Sequence, residues 1–256
     1  MRGFIFDLDG TIYLDEQIIE GAVEAINELR KRGDKVVFLT NKSIASRMDY
    51  VGKLSKLGIA TDLDDVINSN FITAHFLKNQ LDKGEAVLVI GEQTLLDELS
   101  ENGISITDDV KAAKFVVLGW DRKFTYDKIN QAYQAWLNGA KIIATNPDRT
   151  CPVKDGEIPD CGAMIGALVG TTGETIEVMG KPSKRMAEYV VAKVLKLHPS
   201  YCYMVGDRLE TDIKMGNENG MNSVLVLTGI TSREMVSITA YHPKYILDSI
   251  KDITNI

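Results

Sequence analysis

The stretch Phe4-Ile5-Phe6-Asp7-Leu8-Asp9-Gly10-Thr11 restricts the fold of this chain more than any other. Its apolar run reads as a buried strand. Such a strand cannot end in two carboxylates unless they reach partners, because an unpaired charge out of water costs several kcal/mol. Asp7 and Asp9 are therefore expected at the carboxyl end of the strand, where open α/β sheets place their ligands. Gly10 lets the chain turn away at once.

The rest of the chain repeats this pattern. Lys35-Val36-Val37-Phe38-Leu39 is a second apolar run that finishes in Thr40-Asn41-Lys42-Ser43, and Ser43 is expected to cap the helix that follows to about Leu57. Between the two runs, Ala22, Ala25, Ile26 and Leu29 recur at helical spacing. Further strands are expected at Val66–Ser69, Ala86–Ile90, Phe115–Gly119, Lys141–Ala144, Ile176–Met179, Tyr201–Val205, Ser223–Leu227 and Lys244–Leu247, most of them separated by helical patterns. This alternation predicts parallel sheets. The stretch from Asn146 to Asp160 is the longest without a pattern and reads as a loop of the kind that often carries function. Cys151 within it is expected to be exposed, whereas Cys161 and Cys202 read as buried small residues. At 256 residues the chain exceeds a typical domain of about 100–200 residues, so two domains are expected.

Four of the runs end in chemically capable clusters: Asp7/Asp9/Thr11, Thr40/Asn41, Lys181 and Asp207/Asp212. In a parallel sheet all carboxyl ends face one edge, so the clusters can converge. Carboxylates gathered there would repel and raise one another's pKa, and a divalent cation resolves the conflict. Mg2+ is the natural choice, a hard ion held by carboxylates, water and phosphate oxygens. No His or Cys lies at these strand ends, which argues against zinc. A lysine with hydroxyl and amide donors opposite the carboxylates suits a phosphate group. Taken singly, Asp9 and Thr11 read as turn caps, Asp212 as a residue of a first helical turn and Lys181 as a solvated lysine.

These motifs in this order resemble the haloacid dehalogenase superfamily of aspartate-nucleophile phosphatases: Asp-Leu-Asp-Gly-Thr first, Thr40 second, Lys181 third, and Gly206-Asp207-Arg208-Leu209-Glu210-Thr211-Asp212 fourth. Thr40-Asn41, Gly180-Lys181-Pro182, Ala144-Thr145-Asn146-Pro147-Asp148 and Leu225-Val226-Leu227-Thr228-Gly229 look most like its NagD group. Lys42 departs from the second asparagine that many members of that group have, and Arg208 is left unassigned. The resemblance implies a Rossmann-like, doubly wound parallel-sheet core at residues 1–79 and 179–256, with a smaller α/β cap domain inserted at 80–178. It implies that Asp7 attacks phosphorus, that Asp9 handles protons, and that Thr11, Thr40, Asn41 and Lys181 bind the phosphoryl group. Asp7, Asp9, Asp207 and Asp212 form the expected magnesium set, Asp212 from behind through water or a hydrogen bond. Asn146, Pro147 and Asp148 are the expected substrate-binding residues of the cap. The reaction implied is hydrolysis of small phosphate monoesters, sugar phosphates foremost, with a phosphotransferase or mutase as the alternative and a non-catalytic phosphate-binding or receiver-like signalling domain as a remote one.

The partner expected is a small phosphorylated metabolite, with a homodimer through the cap as an open expectation. A net charge of −7 gives no basic footprint for nucleic acid. No run of about 18 apolar residues would span a membrane. Three cysteines make no disulfide framework, and the first residues carry no signal-peptide pattern, so a cytoplasmic setting is expected. His75, His198 and His242 join no motif.

Overall fold

The structure is a computed structural model that describes residues 1–153 and 156–256. The chain forms two compact units, one comprising Met1–Thr40, Arg47–Ile67 and Lys181–Ile256, the other Asn41–Ser46 and Asn68–Gly180. The sequence placed residues 68–79 with the first unit. The helix Ser69–Lys78 instead belongs to the second, where it packs on the helix Gln93–Glu101 and Phe76 meets the Phe115 ring edge-on at 5.9 Å.

Among the described residues the first unit is built on a six-stranded sheet in the order Tyr245–Leu247, Asn222–Val226, Cys202–Gly206, Gly3–Asp7, Lys35–Thr40, Val66–Asn68. The Gly3–Asp7 strand is buried along its whole length because it has parallel neighbours on both sides, which is why it reads as an unbroken apolar run. Gly3 faces Cys202 on one side and Lys35 on the other, and Asp7 faces Leu39. The strand order reverses direction at this strand, and such a switch point opens a crevice at the carboxyl edge. The helix Ala22–Lys31 turns Ala22, Ala25, Ile26 and Leu29 inward, as their spacing predicts. Ser183 caps the helix Lys184–Glu188, its hydroxyl accepting from Met186 N at 3.3 Å. After Cys202–Gly206 the chain makes a wide π-helical turn, Leu209–Ile213, before the helix Lys214–Glu218.

Ser43 does not cap the following helix. That helix begins at Arg47, while the Ser43 hydroxyl accepts from Trp120 N at 3.2 Å and its carbonyl from Asn70 Nδ2 at 2.8 Å. Both of these partners lie in the second unit.

The second unit has, among the described residues, a five-stranded parallel sheet in the order Glu177–Val178, Lys141–Ala144, Ala113–Leu118, Ala86–Ile90, Ser105–Ile106. Two departures from the sequence expectation concern the stretch after Ala144. Residues 150–153 and 156–159 are not unpatterned but pair as antiparallel strands, Thr150–Val153 with Gly156–Pro159, in which Cys151 faces Ile158 and is buried. Pro152 and Pro159 hid the pattern, since proline argues against a strand. Lys154 and Asp155, part of the expected loop, lie outside the described residues. The helix Cys161–Thr172 had no counterpart in the reading, because its apolar residues are interrupted by Gly162, Gly166 and Gly170. It packs into a core with Val116, Leu118, Trp120 and Ala132. Among the described residues no helix is long and apolar enough to cross a membrane.

Candidate active site

The carboxyl end of the Gly3–Asp7 strand places Asp7 at the switch point of the first unit, almost fully buried. On one side of it the Lys181 ammonium, 3% exposed, donates to Asp7 Oδ1 and, at 2.7 Å, to Asp212 Oδ1. The other oxygen of Asp212 accepts the Arg208 N–H at 3.0 Å, so Lys181 holds this carboxylate at one end and the start of the π-helical turn at the other. Carboxylate oxygens of Asp7, Asp207 and Asp212 lie within 4.8 Å of one another.

The electrostatics follow from that crowding. Burial pushes the Asp7 carboxyl well above the usual carboxylate range; Lys181 opposes the shift, and Asp212 and Asp207 add to it. Burial alone would pull the Lys181 ammonium down, but Asp212 and Asp7 outweigh it and hold it above the ordinary lysine range. Asp207 is raised to about 6 by burial and then by Asp212. Without a cation, this cluster carries more negative charge than its surroundings favour.

Asp207 follows the Cys202–Gly206 strand. Its Oδ2 accepts from Ile230 N at 2.8 Å, whereas its Oδ1 is buried without a hydrogen-bond partner among the described residues. Two glycines make room for this carboxylate: a Cβ on Gly10 would stand 2.6 Å from Asp207 Oδ2, and one on Gly229 2.0 Å from the same atom. Gly10 also has φ +82°, a conformation that side chains disfavour. The Thr228 hydroxyl donates to the Gly10 carbonyl at 2.6 Å and fixes the turn after Asp9. Asp9 is half-buried in that turn. Thr11 is wholly buried, its hydroxyl also unpartnered among the described residues, and Thr40 is buried at the end of its strand.

The fold therefore brings Asp7, Lys181, Asp207 and Asp212 together and sets Asp9, Thr11 and Thr40 on the same sheet edge. The other expected residues belong to the second unit. The Asn41 carbonyl accepts from Ser69 Oγ at 2.7 Å, and its side-chain oxygen lies 2.5 Å from where a Cβ on Gly180 would stand. Asn146 is 1% exposed, and its amide donates to Asp148 Oδ2 at 3.2 Å and Asp160 Oδ1 at 3.1 Å. It staples the two ends of the hairpin, so its polar atoms are turned inward. Pro147 and Asp148 are half-buried beside it. Thr228, Gly229 and Ile230 had no assigned role in the sequence reading. The Thr-Gly pair after an apolar strand was the available signal, but what it supports is a carboxylate some twenty residues away in sequence.

Comparison with known proteins agrees with this geometry. The haloacid dehalogenase-like hydrolase family matches residues 4–105, and a second HAD-hydrolase-like family matches residues 178–253. The sugar-phosphatase AraL of Bacillus subtilis is 44% identical over 99% of this chain and 92% of its own. NagD from Escherichia coli superposes with a TM-score of 0.89 at 29% identity, over 100% of this chain and 99% of that one. A glycerol phosphate phosphatase from Mycobacterium tuberculosis, solved in complex with magnesium, gives a TM-score of 0.89 at 30% identity, over 98% of this chain and 76% of that one. With its motifs, its sheet order and both family matches in agreement, the chain belongs to the haloacid dehalogenase-like hydrolases, among the NagD-like phosphatases.

Proposed function

We propose that this phosphatase hydrolyses small phosphate monoesters, with sugar phosphates as the leading substrate class, through a phosphorylated Asp7 and with Mg2+. The observation that carries the reading is the buried Lys181 ammonium bridging Asp7 and Asp212, with Asp207 beside them at the switch point. Residues 1–40, 47–67 and 181–256 act as the catalytic core, and the other unit is assigned the choice of leaving group, as the resemblance implies for a cap. The sugar-phosphatase and glycerol phosphate phosphatase relatives support the substrate class.

In this mechanism Lys181 holds Asp7 Oδ1 and orients the carboxylate for attack on phosphorus. As the bond from Asp7 to phosphorus forms, the bond from phosphorus to the leaving oxygen breaks, and Asp9 gives that oxygen a proton. Water then attacks the same phosphorus and passes a proton to Asp9, releasing phosphate and restoring Asp7. Lys181, with the Thr11 and Thr40 hydroxyls, offsets the negative charge of the phosphoryl oxygens.

The residues fit a magnesium ion. The donor set is all oxygen, and Asp207 Oδ1 is a buried acceptor left without a partner among the described residues. Asp7, Asp207 and the Asp9 backbone carbonyl would hold the ion. Asp212, both of whose oxygens are hydrogen-bonded, positions Lys181 instead. When bound, the ion supplies positive charge against the phosphoryl oxygens.

The test is hydrolysis of p-nitrophenyl phosphate with Mg2+, with a chelator, and by Asp7→Asn. Chelation should abolish turnover, and the substitution should lower kcat by about 10⁴-fold or more. Turnover that survives Asp7→Asn would overturn the nucleophile assignment. A panel of sugar phosphates, glycerol phosphate and nucleoside monophosphates, ranked by kcat/KM, tests the substrate class.

A further inference from the structure

We infer that Lys53 is a positioning residue for Asp9, acting through the small hairpin that follows it; this rests on the phosphatase reading above. The hairpin Tyr13–Leu14 with Gln17–Ile18 has only two residues in each strand. Its turn is exposed, and Asp15 there takes a left-handed φ of +50°. A segment with so few pairings opens readily unless something else holds it.

Lys53, on the helix Arg47–Lys56, supplies that hold from outside. Its ammonium donates to the Asp15 carbonyl at 2.6 Å, lies 3.1 Å from Glu16 Oε1, and stands 4.0 Å from the centre of the Tyr13 ring. One side chain thus grips the turn backbone, an acidic side chain and the one buried aromatic ring of the hairpin. The Glu16 pair is exposed and contributes little by itself. The carbonyl and the ring are the contacts that fix position.

Tyr13 passes this hold to the catalytic turn. Its ring is 1% exposed, its carbonyl accepts the Gly10 N–H at 2.8 Å, and its backbone is bridged to that of Asp9. Asp9 has no helix or long strand of its own to aim it. The turn at Gly10 that follows it is held by Thr228 on one side and by Tyr13 on the other. Releasing Lys53 loosens the Tyr13 side, and with it the acid that must meet the leaving oxygen.

This predicts a leaving-group signature. Protonation by Asp9 matters most when the leaving oxygen is strongly basic, so misplacing Asp9 penalises phenyl phosphate more than p-nitrophenyl phosphate. Lys53→Met should lower kcat/KM about tenfold on phenyl phosphate and about threefold or less on p-nitrophenyl phosphate. Lys53→Arg, which keeps the charge and the donors, should recover most of the loss. Amide hydrogen exchange in Lys53→Met should quicken at residues 12–19 and not across the first unit's sheet. Equal losses on both substrates, no recovery with arginine, or unchanged exchange at 12–19 would overturn the inference. If the wild-type protein hydrolyses neither substrate, the phosphatase reading fails on its own account, while the exchange measurement still decides whether Lys53 holds the hairpin.

Discussion

The two parallel sheets of this protein have switch points of the same kind, and their carboxyl edges have opposite fates. In the first unit the reversal lies between Gly3–Asp7 and Cys202–Gly206, and the edge there gathers Asp7, Asp207, Asp212 and Lys181, with the Thr11 hydroxyl and Asp207 Oδ1 left unpartnered among the described residues. In the second unit the reversal lies between Ala86–Ile90 and Ala113–Leu118, where Gly91 and Gly119 bring the strand ends close. The space between is taken by Leu95, fully buried, whose Cδ2 would stand 2.8 Å from a Cβ on Gly91 and 2.7 Å from one on Gly119. Further along that edge, the Asn146 amide donates to Asp148 and Asp160, and Asp160 also accepts from Cys161 N. Topology offers a crevice in both places, and the side chains at the strand ends decide whether it is a site or a packed core.

Substitutions should expose this contrast. The largest effect is expected at the charged edge: Lys181→Met leaves buried carboxylates without their counter-charge and should cost about 3–5 kcal/mol in urea unfolding, besides removing activity. Asp7→Asn should leave stability unchanged or raise it, since burial already disfavours the ionised Asp7. A destabilised Asp7→Asn with an unaffected Lys181→Met would break the account of that edge.

At the closed edge, Asn146→Ala should cost about 1–3 kcal/mol, because the buried Asp160 loses a donor. Its kcat/KM should change little. A fall in kcat/KM at unchanged stability would show instead that Asn146 reaches the substrate and that this edge is not closed.

The smallest effect concerns pH. The folded-state pKa of Asp207 is raised from 3.8 to about 6, so in metal-free protein the native state holds a proton that the unfolded chain has released. Its contribution to stability is present below about pH 4 and is lost as pH rises toward 6. Asp207→Asn should therefore gain stability relative to wild type across that window and hold the gain above it. Differential scanning calorimetry with chelator would measure this, and a gain that shrinks with rising pH would contradict it.

The legible part of this protein was the part whose periodicity reports burial. The Gly3–Asp7 and Lys35–Thr40 strands and the Ala22–Lys31 helix follow from their apolar patterns, and Asp7, Lys181 and Asp207 announced themselves as charges where strands end. Ser43, by contrast, has the chemistry of a helix cap but uses its hydroxyl on Trp120, a distant partner that no local pattern reveals. The pairing of Thr150–Val153 with Gly156–Pro159 was masked by its prolines, and the Cys161–Thr172 helix by its glycines, because local rules there oppose what packing enforces. Asn146 illustrates the remaining gap. The resemblance suggested it as a substrate residue of the cap, but its bonds to Asp148 and Asp160 come from packing that no local pattern encodes.

The pairing of Gly3 with Cys202 has a consequence in time. On a ribosome the Gly3–Asp7 strand emerges before the other strands of its sheet, but its neighbour on one side follows nearly two hundred residues later. At about 5–20 residues per second, the strand waits roughly 10–40 s with that edge uncovered. The inserted unit lies wholly within this interval and, among the described residues, its strands pair with one another, so it can be complete before the core closes. Newly made chains would thus acquire their second unit first and their catalytic edge last.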